Sequence, residues 1–179
     1  HGFEVFCSMR MNDTHDGADR PDKPYWSFAR FKREHPECLV GSFDKRPRFG
    51  AWTACDYGHP AVRDLVFRRL DEVCRNYDVD GVELDFFRHG VLFKSVAWGG
   101  TASPEEQDTM TDLVRRVHRT TEEVGMKRGK PVLLAVRVPD SVEYCLGIGL
   151  DIERWLRGGL VDLLVTTCYF RLNPWEYSV

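Results

Sequence analysis

Four short apolar runs alternate along this 179-residue chain with segments whose apolar residues recur every three or four positions. Continuous apolar runs are typical of strands buried on both faces, and the wider spacing is typical of amphipathic helices. This alternation predicts a parallel sheet covered by helices. The predicted strands are residues 3–9, 81–87, 131–138 and 160–170, and the predicted helices are residues 60–77, 104–124 and 150–156.

Local signals support the ends of the two longer helices. Pro60 suits a first helical turn, where its missing N–H is not needed. Ser103-Pro104-Glu105-Glu106 combines an N-cap residue, a first-turn proline and a capping-box glutamate. Gly125 predicts the end of the helix that they start. The long stretch of residues 11–58 is irregular but rich in aromatic residues, so we expect it to be ordered.

An open doubly wound sheet and a (β/α)8 barrel both fit this order of elements. A doubly wound fold usually carries a glycine-rich phosphate loop after a strand, and no such motif follows any of the four runs. Polar residues follow the runs instead, as in barrel enzymes, whose active sites lie at the carboxyl ends of the strands. We therefore predict an α/β fold, a partial (β/α)8 TIM barrel of about four parallel strands with intervening helices.

The length of the chain bears on its domain organisation. A complete barrel needs about 200–250 residues or more. We therefore expect residues 1–179 to be one barrel domain that is a fragment of a longer chain. The rest of the barrel would come from that longer chain or from another subunit.

Composition narrows the classes of partner. The formal net charge is −3, and no basic stripe with interleaved aromatics is present, so we expect no nucleic-acid partner. No apolar run approaches the roughly 20 residues of a membrane span. The cysteines form no CxxC pair and no named metal motif occurs, so no cofactor or metal is predicted. The compartment in which the protein works stays open.

The segment DGVELDFFRHG, residues 80–90, places two carboxylates within a strand-like run. Side chains alternate along a strand, so we expect one face to pack against the helices and the other to point into the barrel. The packing face would comprise Val82, Leu84 and Phe86, and the interior face Glu83, Asp85 and Phe87. Two carboxylates whose surroundings push their pKa values apart can act as acid and base. Glu83 could instead be a structural partner of an arginine, Arg10 or Arg137.

The same segment resembles the fourth-strand signature of family 18 chitinases, D-G-x-D-x-D-x-E. Glu83 stands in an Asp position, and Phe87 replaces the final Glu, which is the general acid of that family. We therefore reject a chitinase-type mechanism. Three segments carry a broader resemblance: MRMNDTHD (9–16), DGVELDFFRH (80–89) and GLDIERWLRGGLVDLLV (149–165). Together they resemble the uncharacterised barrel proteins similar to family 10 glycosyl hydrolases.

The family 10-like resemblance implies a saccharide-active barrel. We expect a glycoside hydrolase-like protein that acts on a poly- or oligosaccharide by carboxylate acid/base catalysis. Asp85 and Glu83 are the candidate catalytic residues, and Asp13, Asp140 or a strand outside this chain could supply the second carboxyl group. The candidate substrate-binding residues are Arg10, Asn12, Asp13, His15, Arg88, His89, Arg137, Asp140 and Tyr169.

Two alternatives stay open. The first is a non-catalytic carbohydrate-binding barrel, which is consistent with Phe87 in place of the chitinase Glu. The second is a metal-dependent hydrolase, because hard or borderline metal ligands follow two predicted strands. Those ligands are Asp13, His15, Asp85 and His89.

Overall fold

The computed structural model of the chain describes residues 2–168. Its four strands are β1 (Phe6–Arg10), β2 (Gly81–Asp85), β3 (Leu133–Pro139) and β4 (Leu163–Thr167). Its α-helices are α1 (Arg30–Glu34), α2 (Pro60–Asn76), α3 (Lys94–Ala97), α4 (Pro104–Arg128), α5 (Val142–Gly147) and α6 (Ile152–Arg157). The predicted alternation of strands and helices is confirmed.

The strands form one parallel sheet in the order β1-β2-β3-β4. A doubly wound sheet reverses its strand order at a switch point, and this sheet does not. Right-handed crossovers that advance in one direction place all their helices on the same face. The fold is therefore α/β with the winding of a partial (β/α)8 barrel. Within residues 2–168 the sheet stays open, with β1 and β4 at its edges.

The helix-covered face of the sheet forms the main core. The predicted packing face of β2 is confirmed, because Val82, Leu84 and Phe86 are fully buried. They share one apolar cluster with Leu70 of α2 and Val114 of α4. Burying each side chain of this size contributes about 1.5–3 kcal/mol, so this face holds the helices against the sheet.

Strand β2 is shorter than predicted. It ends at Asp85 and not at residue 87, because the Asp85 side chain accepts hydrogen bonds from the next backbone N–H groups and starts a turn. Its first residue, Gly81, lies so close to β3 that a Cβ atom would sit 2.7 Å from the carbonyl oxygen of Leu133. A glycine in this strand therefore reflects close packing between backbones.

Local sequence signals predicted the start of α4 correctly and its end wrongly. The predicted capping box is confirmed: Ser103 Oγ accepts from the Glu106 N–H at 3.2 Å, and the Glu106 carboxylate accepts from the Ser103 N–H at 2.8 Å. The predicted end at Gly125 is wrong. The helix continues to Arg128, and Gly129 ends it with a φ of 68°. Gly125 is instead a close contact, because a Cβ there would meet backbone atoms of the segment before β3 at 3.2 Å.

The long stretch of residues 11–58 contains secondary structure and an apolar cluster of its own. It contains α1, a 3-10 turn at Pro36–Cys38 and a small apolar cluster of Phe28, Leu39 and Trp52. The rings of Phe28 and Trp52 stack at 5.8 Å between centroids. None of the helices among residues 2–168 is long and apolar enough to cross a membrane.

Candidate active site

Strand register arranges the side chains of the uncovered sheet face in rows. Arg10, Asp85 and Arg137 occupy matching positions on β1, β2 and β3, in the row nearest the carboxyl ends. Ser8 and Glu83 lie in the row below. Because neighbouring strands are about 4.8 Å apart, the register places Asp85 between two arginines.

Glu83 is held by both of its neighbouring strands. The Ser8 hydroxyl donates to Glu83 Oε1 at 2.6 Å. From the other side, Arg137 Nη2 lies 3.1 Å from Oε1 and 3.2 Å from Oε2. The side chain of Glu83 is only 10% exposed, so this ion pair compensates a nearly buried charge. The alternative prediction of an arginine partner is thus confirmed for Arg137.

Asp85 is buried, and only one of its two carboxylate oxygens has a hydrogen-bond partner among residues 2–168. Its Oδ1 accepts hydrogen bonds from the backbone N–H groups of Phe87 at 3.1 Å and Arg88 at 3.2 Å. Its Oδ2 accepts no hydrogen bond from residues 2–168, because Arg137 turns to Glu83 and Arg10 turns to the loop after β1. The orientation of the carboxylate is therefore set by the backbone, while Oδ2 is left for another partner.

Arg10, the other arginine considered as a partner of Glu83, does not contact it, because a nearer carboxylate competes for Arg10. Arg10 Nη1 lies 3.1 Å from Asp13 Oδ2 and 3.5 Å from His15 Nδ1. A partner three residues along the chain needs no long side-chain reach. We call Arg10, Asp13, His15 and His89 the strand-end cluster.

Asp13 is the centre of hydrogen bonding in the strand-end cluster. Its Oδ1 accepts from the backbone N–H of His15 at 2.9 Å and lies 2.7 Å from His15 Nδ1. Partial burial raises the pKa of Asp13, but the hydrogen bonds from His15 and Arg10 outweigh it and hold the pKa well below its ordinary value. Asp13 is therefore a fixed anion at neutral pH.

His89 joins the cluster from the loop after β2. Its ring lies edge-on to that of His15, with 5.2 Å between centroids. Its Nδ1 is 3.1 Å from the hydroxyl of Thr14. Its Nε2 is buried and has no hydrogen-bond partner among the described residues. Burial lowers the pKa of His89, which favours the neutral imidazole.

A buried ion pair holds the loop that carries Asp13 and His15. Lys32 Nζ on α1 donates to Asp16 Oδ2 at 2.7 Å, and both side chains are only 8% exposed. The same Nζ donates to the backbone carbonyl of Asp13 at 2.9 Å. The long stretch before α2 thus supports the site directly, because α1 fixes the position of this loop.

Asn12 follows β1, and its side chain hydrogen-bonds to the backbone of two loops, at Cys55 and at Val91. Its amide nitrogen donates to the carbonyls of Cys55 at 2.8 Å and Val91 at 2.7 Å, and its amide oxygen accepts from the Cys55 N–H at 2.8 Å. The residue is 3% exposed. These contacts give Asn12 a structural role, and its predicted substrate-binding role stays a prediction.

The other predicted residues lie at strand ends or outside the described part of the chain. Arg88 and Asp140 are half-buried and follow β2 and β3. Tyr169 lies outside the described residues, so its predicted role stays a prediction.

A cavity of about 530 Å³ borders the strand-end cluster, and sequence reasoning did not predict it. Its lining includes Thr14, His89, Phe49, Val91, Glu143 and Tyr144. Glu143 and Tyr144 follow the carboxyl end of β3 by four and five residues. That position after a predicted strand was the signal that could have identified them.

No family model and no curated protein matches the chain. Among solved structures, it is similar to a family 18 N-acetylglucosaminidase from Paenibacillus barengoltzii, with 16% identity and a TM-score of 0.45 over 94% of this chain and 54% of that chain. A chitinase from a Paenibacillus species matches at 19% identity and a TM-score of 0.45, over 82% of this chain and 16% of that chain. The galactosidase domain of an alpha-galactosidase–sucrose kinase matches at 17% identity and a TM-score of 0.39, over 75% of this chain and 16% of that chain.

These three similar structures are glycoside hydrolases. The chain spans about half of the first and about a sixth of the other two. A function for this chain is inferred below from the residues of the uncovered sheet face.

Proposed function

We propose that this chain contributes a catalytic carboxylate, Asp85, to a glycoside hydrolase. The observation that carries the proposal is the position of Asp85 and Glu83. Both lie on the uncovered face at the carboxyl end of a parallel sheet with barrel-type winding, and Asp85 Oδ2 accepts no hydrogen bond from residues 2–168. Barrel enzymes place their catalytic groups at this end. The resemblance to family 10-like barrels supports a saccharide substrate.

In this proposal Asp85 is the nucleophile or the base. Its Oδ1 is fixed by two backbone N–H groups, which leaves Oδ2 to attack a sugar or to activate a water molecule. Glu83 lies two residues back, about 6.6 Å along the strand, and is engaged by Ser8 and Arg137. In this proposal Glu83 is therefore a charged neighbour of Asp85 and does not itself act as the nucleophile or base.

The second carboxyl group has three possible sources. Asp140 follows β3, the neighbouring strand, and Asp13 lies in the loop after β1. The third source is a strand outside this chain, in a longer protein or a second subunit. The exposed apolar side chains of β4 support a further covering element, since Leu163, Leu164 and Val165 are 38–45% exposed.

The test is the release of reducing sugars from a panel of polysaccharides by the longest natural form of the protein. Asp85→Asn keeps the size of the side chain and removes its charge, so it should abolish turnover while binding persists. Asp78→Asn is the matched control, because Asp78 is exposed and precedes the amino end of β2. Full activity in Asp85→Asn would refute the catalytic role.

A non-catalytic carbohydrate-binding barrel is the second candidate. It is favoured by Phe87 in place of the chitinase general acid and by the engagement of both Glu83 oxygens with Arg137. Binding of a glycan to the natural protein without turnover on any member of the panel would support it over hydrolysis. Asp85→Asn would then weaken binding, because Oδ2, which has no partner among residues 2–168, would be a hydrogen-bond acceptor for a sugar hydroxyl.

A further inference from the structure

We propose that Asp13, His15 and His89 form a binding site for a divalent transition-metal ion, a site that the glycosidase proposal does not require. One potential ligand atom from each side chain lies within 4.8 Å of the others. Metal bonds to imidazole nitrogen and carboxylate oxygen are about 2.0–2.2 Å long, so two ligand atoms on one tetrahedral ion are about 3.3–3.6 Å apart. Side-chain rotations that close the separations by up to about 1.5 Å would therefore bring the three atoms onto one ion.

The composition of the cluster selects the class of metal. Two imidazoles and one carboxylate suit borderline ions such as Zn²⁺, Co²⁺ and Fe²⁺ better than Ca²⁺ or Mg²⁺, which prefer oxygen ligands. Three protein ligands leave at least one coordination position open. Asp85, which the sequence suggested as a fourth ligand, is not part of the group that the described residues bring together.

The hydrogen bonds around His89 prepare it as a ligand. Its Nδ1 is 3.1 Å from Thr14 Oγ1, whereas its buried Nε2 has no partner among residues 2–168. When Nδ1–H donates to the threonine, Nε2 carries the lone pair that a metal ion needs. A partner at Nε2 would also remove the cost of a buried polar atom without a hydrogen bond.

The cluster already attracts a cation. The Arg10 guanidinium lies 3.1 Å from Asp13 Oδ2 and 3.5 Å from His15 Nδ1, where it compensates the charge of Asp13. Its side chain is 48% exposed, so it can turn into solvent when a metal ion takes its place. Arg10 is therefore a competitor of the metal ion for Asp13 and His15.

The surroundings of the site leave room for a small molecule on the metal. Thr14 and His89 also line the cavity of about 530 Å³. Asp13 and His15 line a second cavity, of about 340 Å³, so the metal site would border both cavities. The site would thus bind a metal that contacts a small molecule, and this function is independent of Asp85.

The test is the binding of Zn²⁺ to protein that has been stripped with a chelator, measured by calorimetry, together with the visible absorption of bound Co²⁺. We expect one ion per chain. His15→Ala and His89→Ala should each weaken binding at least tenfold, and Arg10→Met should strengthen it. His35→Ala is the matched control, because His35 lies beside Glu37 and outside the cluster.

Folding of the variants is checked by circular dichroism without metal. His15 is 53% exposed, so its loss should leave the fold intact and keep the test decisive. Absence of stoichiometric binding to the natural protein would overturn the proposal. Unchanged binding in both histidine variants would also overturn it, whatever the activity on glycans.

Discussion

Arg137 on β3 reaches back to Glu83 on β2, and its Nη2 lies 3.1 Å and 3.2 Å from the two carboxylate oxygens. The register alone would allow Arg137 to meet Asp85, which occupies the matching position on β2. The ion pair with Glu83 therefore decides the electrostatics of the uncovered face, because it leaves Asp85 without a cationic side-chain partner among the described residues.

Arg137→Met should lower the free energy of unfolding by about 1–3 kcal/mol, because Glu83 would keep a nearly buried charge with only Ser8 as a partner. The effect should stay below that of a fully buried pair, since Arg137 is 41% exposed. Urea denaturation measures it. In a double-mutant cycle with Glu83→Gln, the two losses should be less than additive, and strict additivity would contradict the coupling.

Gly81→Ala should destabilise the fold by about 3 kcal/mol or more, because a Cβ would press against the β3 backbone at Leu133. Gly147→Ala is the matched control, since a Cβ at that position meets nothing within 4 Å. Thermal unfolding of both variants provides the comparison. Similar melting temperatures for the two would show that the close approach at Gly81 is not a constraint.

Asp80→Asn should remove part of the acid sensitivity of the fold. Asp80 accepts hydrogen bonds from Lys130 and, at 2.7 Å, from the Val5 N–H, and these hold its pKa below the ordinary value. Stability from a lowered pKa is fully present above the unfolded-state pKa of about 3.9 and is lost as pH falls toward the folded-state value.

The measurement for Asp80 is the melting temperature between pH 7 and pH 2. The natural protein should lose stability below about pH 4 more steeply than Asp80→Asn, which should melt lower at neutral pH. Asp78→Asn, at an exposed neighbouring position, should follow the natural curve. Parallel curves for the natural protein and Asp80→Asn would exclude this contribution.

Asn12→Ala should cost about 2–4 kcal/mol, because it leaves the N–H and carbonyl of Cys55 and the carbonyl of Val91 without their side-chain partner. Asn76→Ala is the control, since Asn76 is exposed at the end of α2. Chemical denaturation compares the two. If Asn12 mainly contacted substrate, its loss would change glycan binding and leave stability near that of the control.

Local pattern predicted much of the fold. Alternation along β2 predicted which side chains pack against the helices, and the capping box predicted the start of α4. These features depend on neighbours within a few residues, so they are visible in the sequence. The predicted end of α4 at Gly125 failed because a glycine can mark either a helix end or a close contact with another segment. Only the packing of the chain before β3 distinguishes the two.

The sequence by itself determined that polar and charged residues would gather at the carboxyl ends of parallel strands. Only the tertiary structure decided their partners. Arg10 pairs with Asp13, Arg137 pairs with Glu83, and His89 approaches His15. The physical reason is that strand register and loop closure bring together residues far apart in the chain, and charged side chains then compete for the nearest partners.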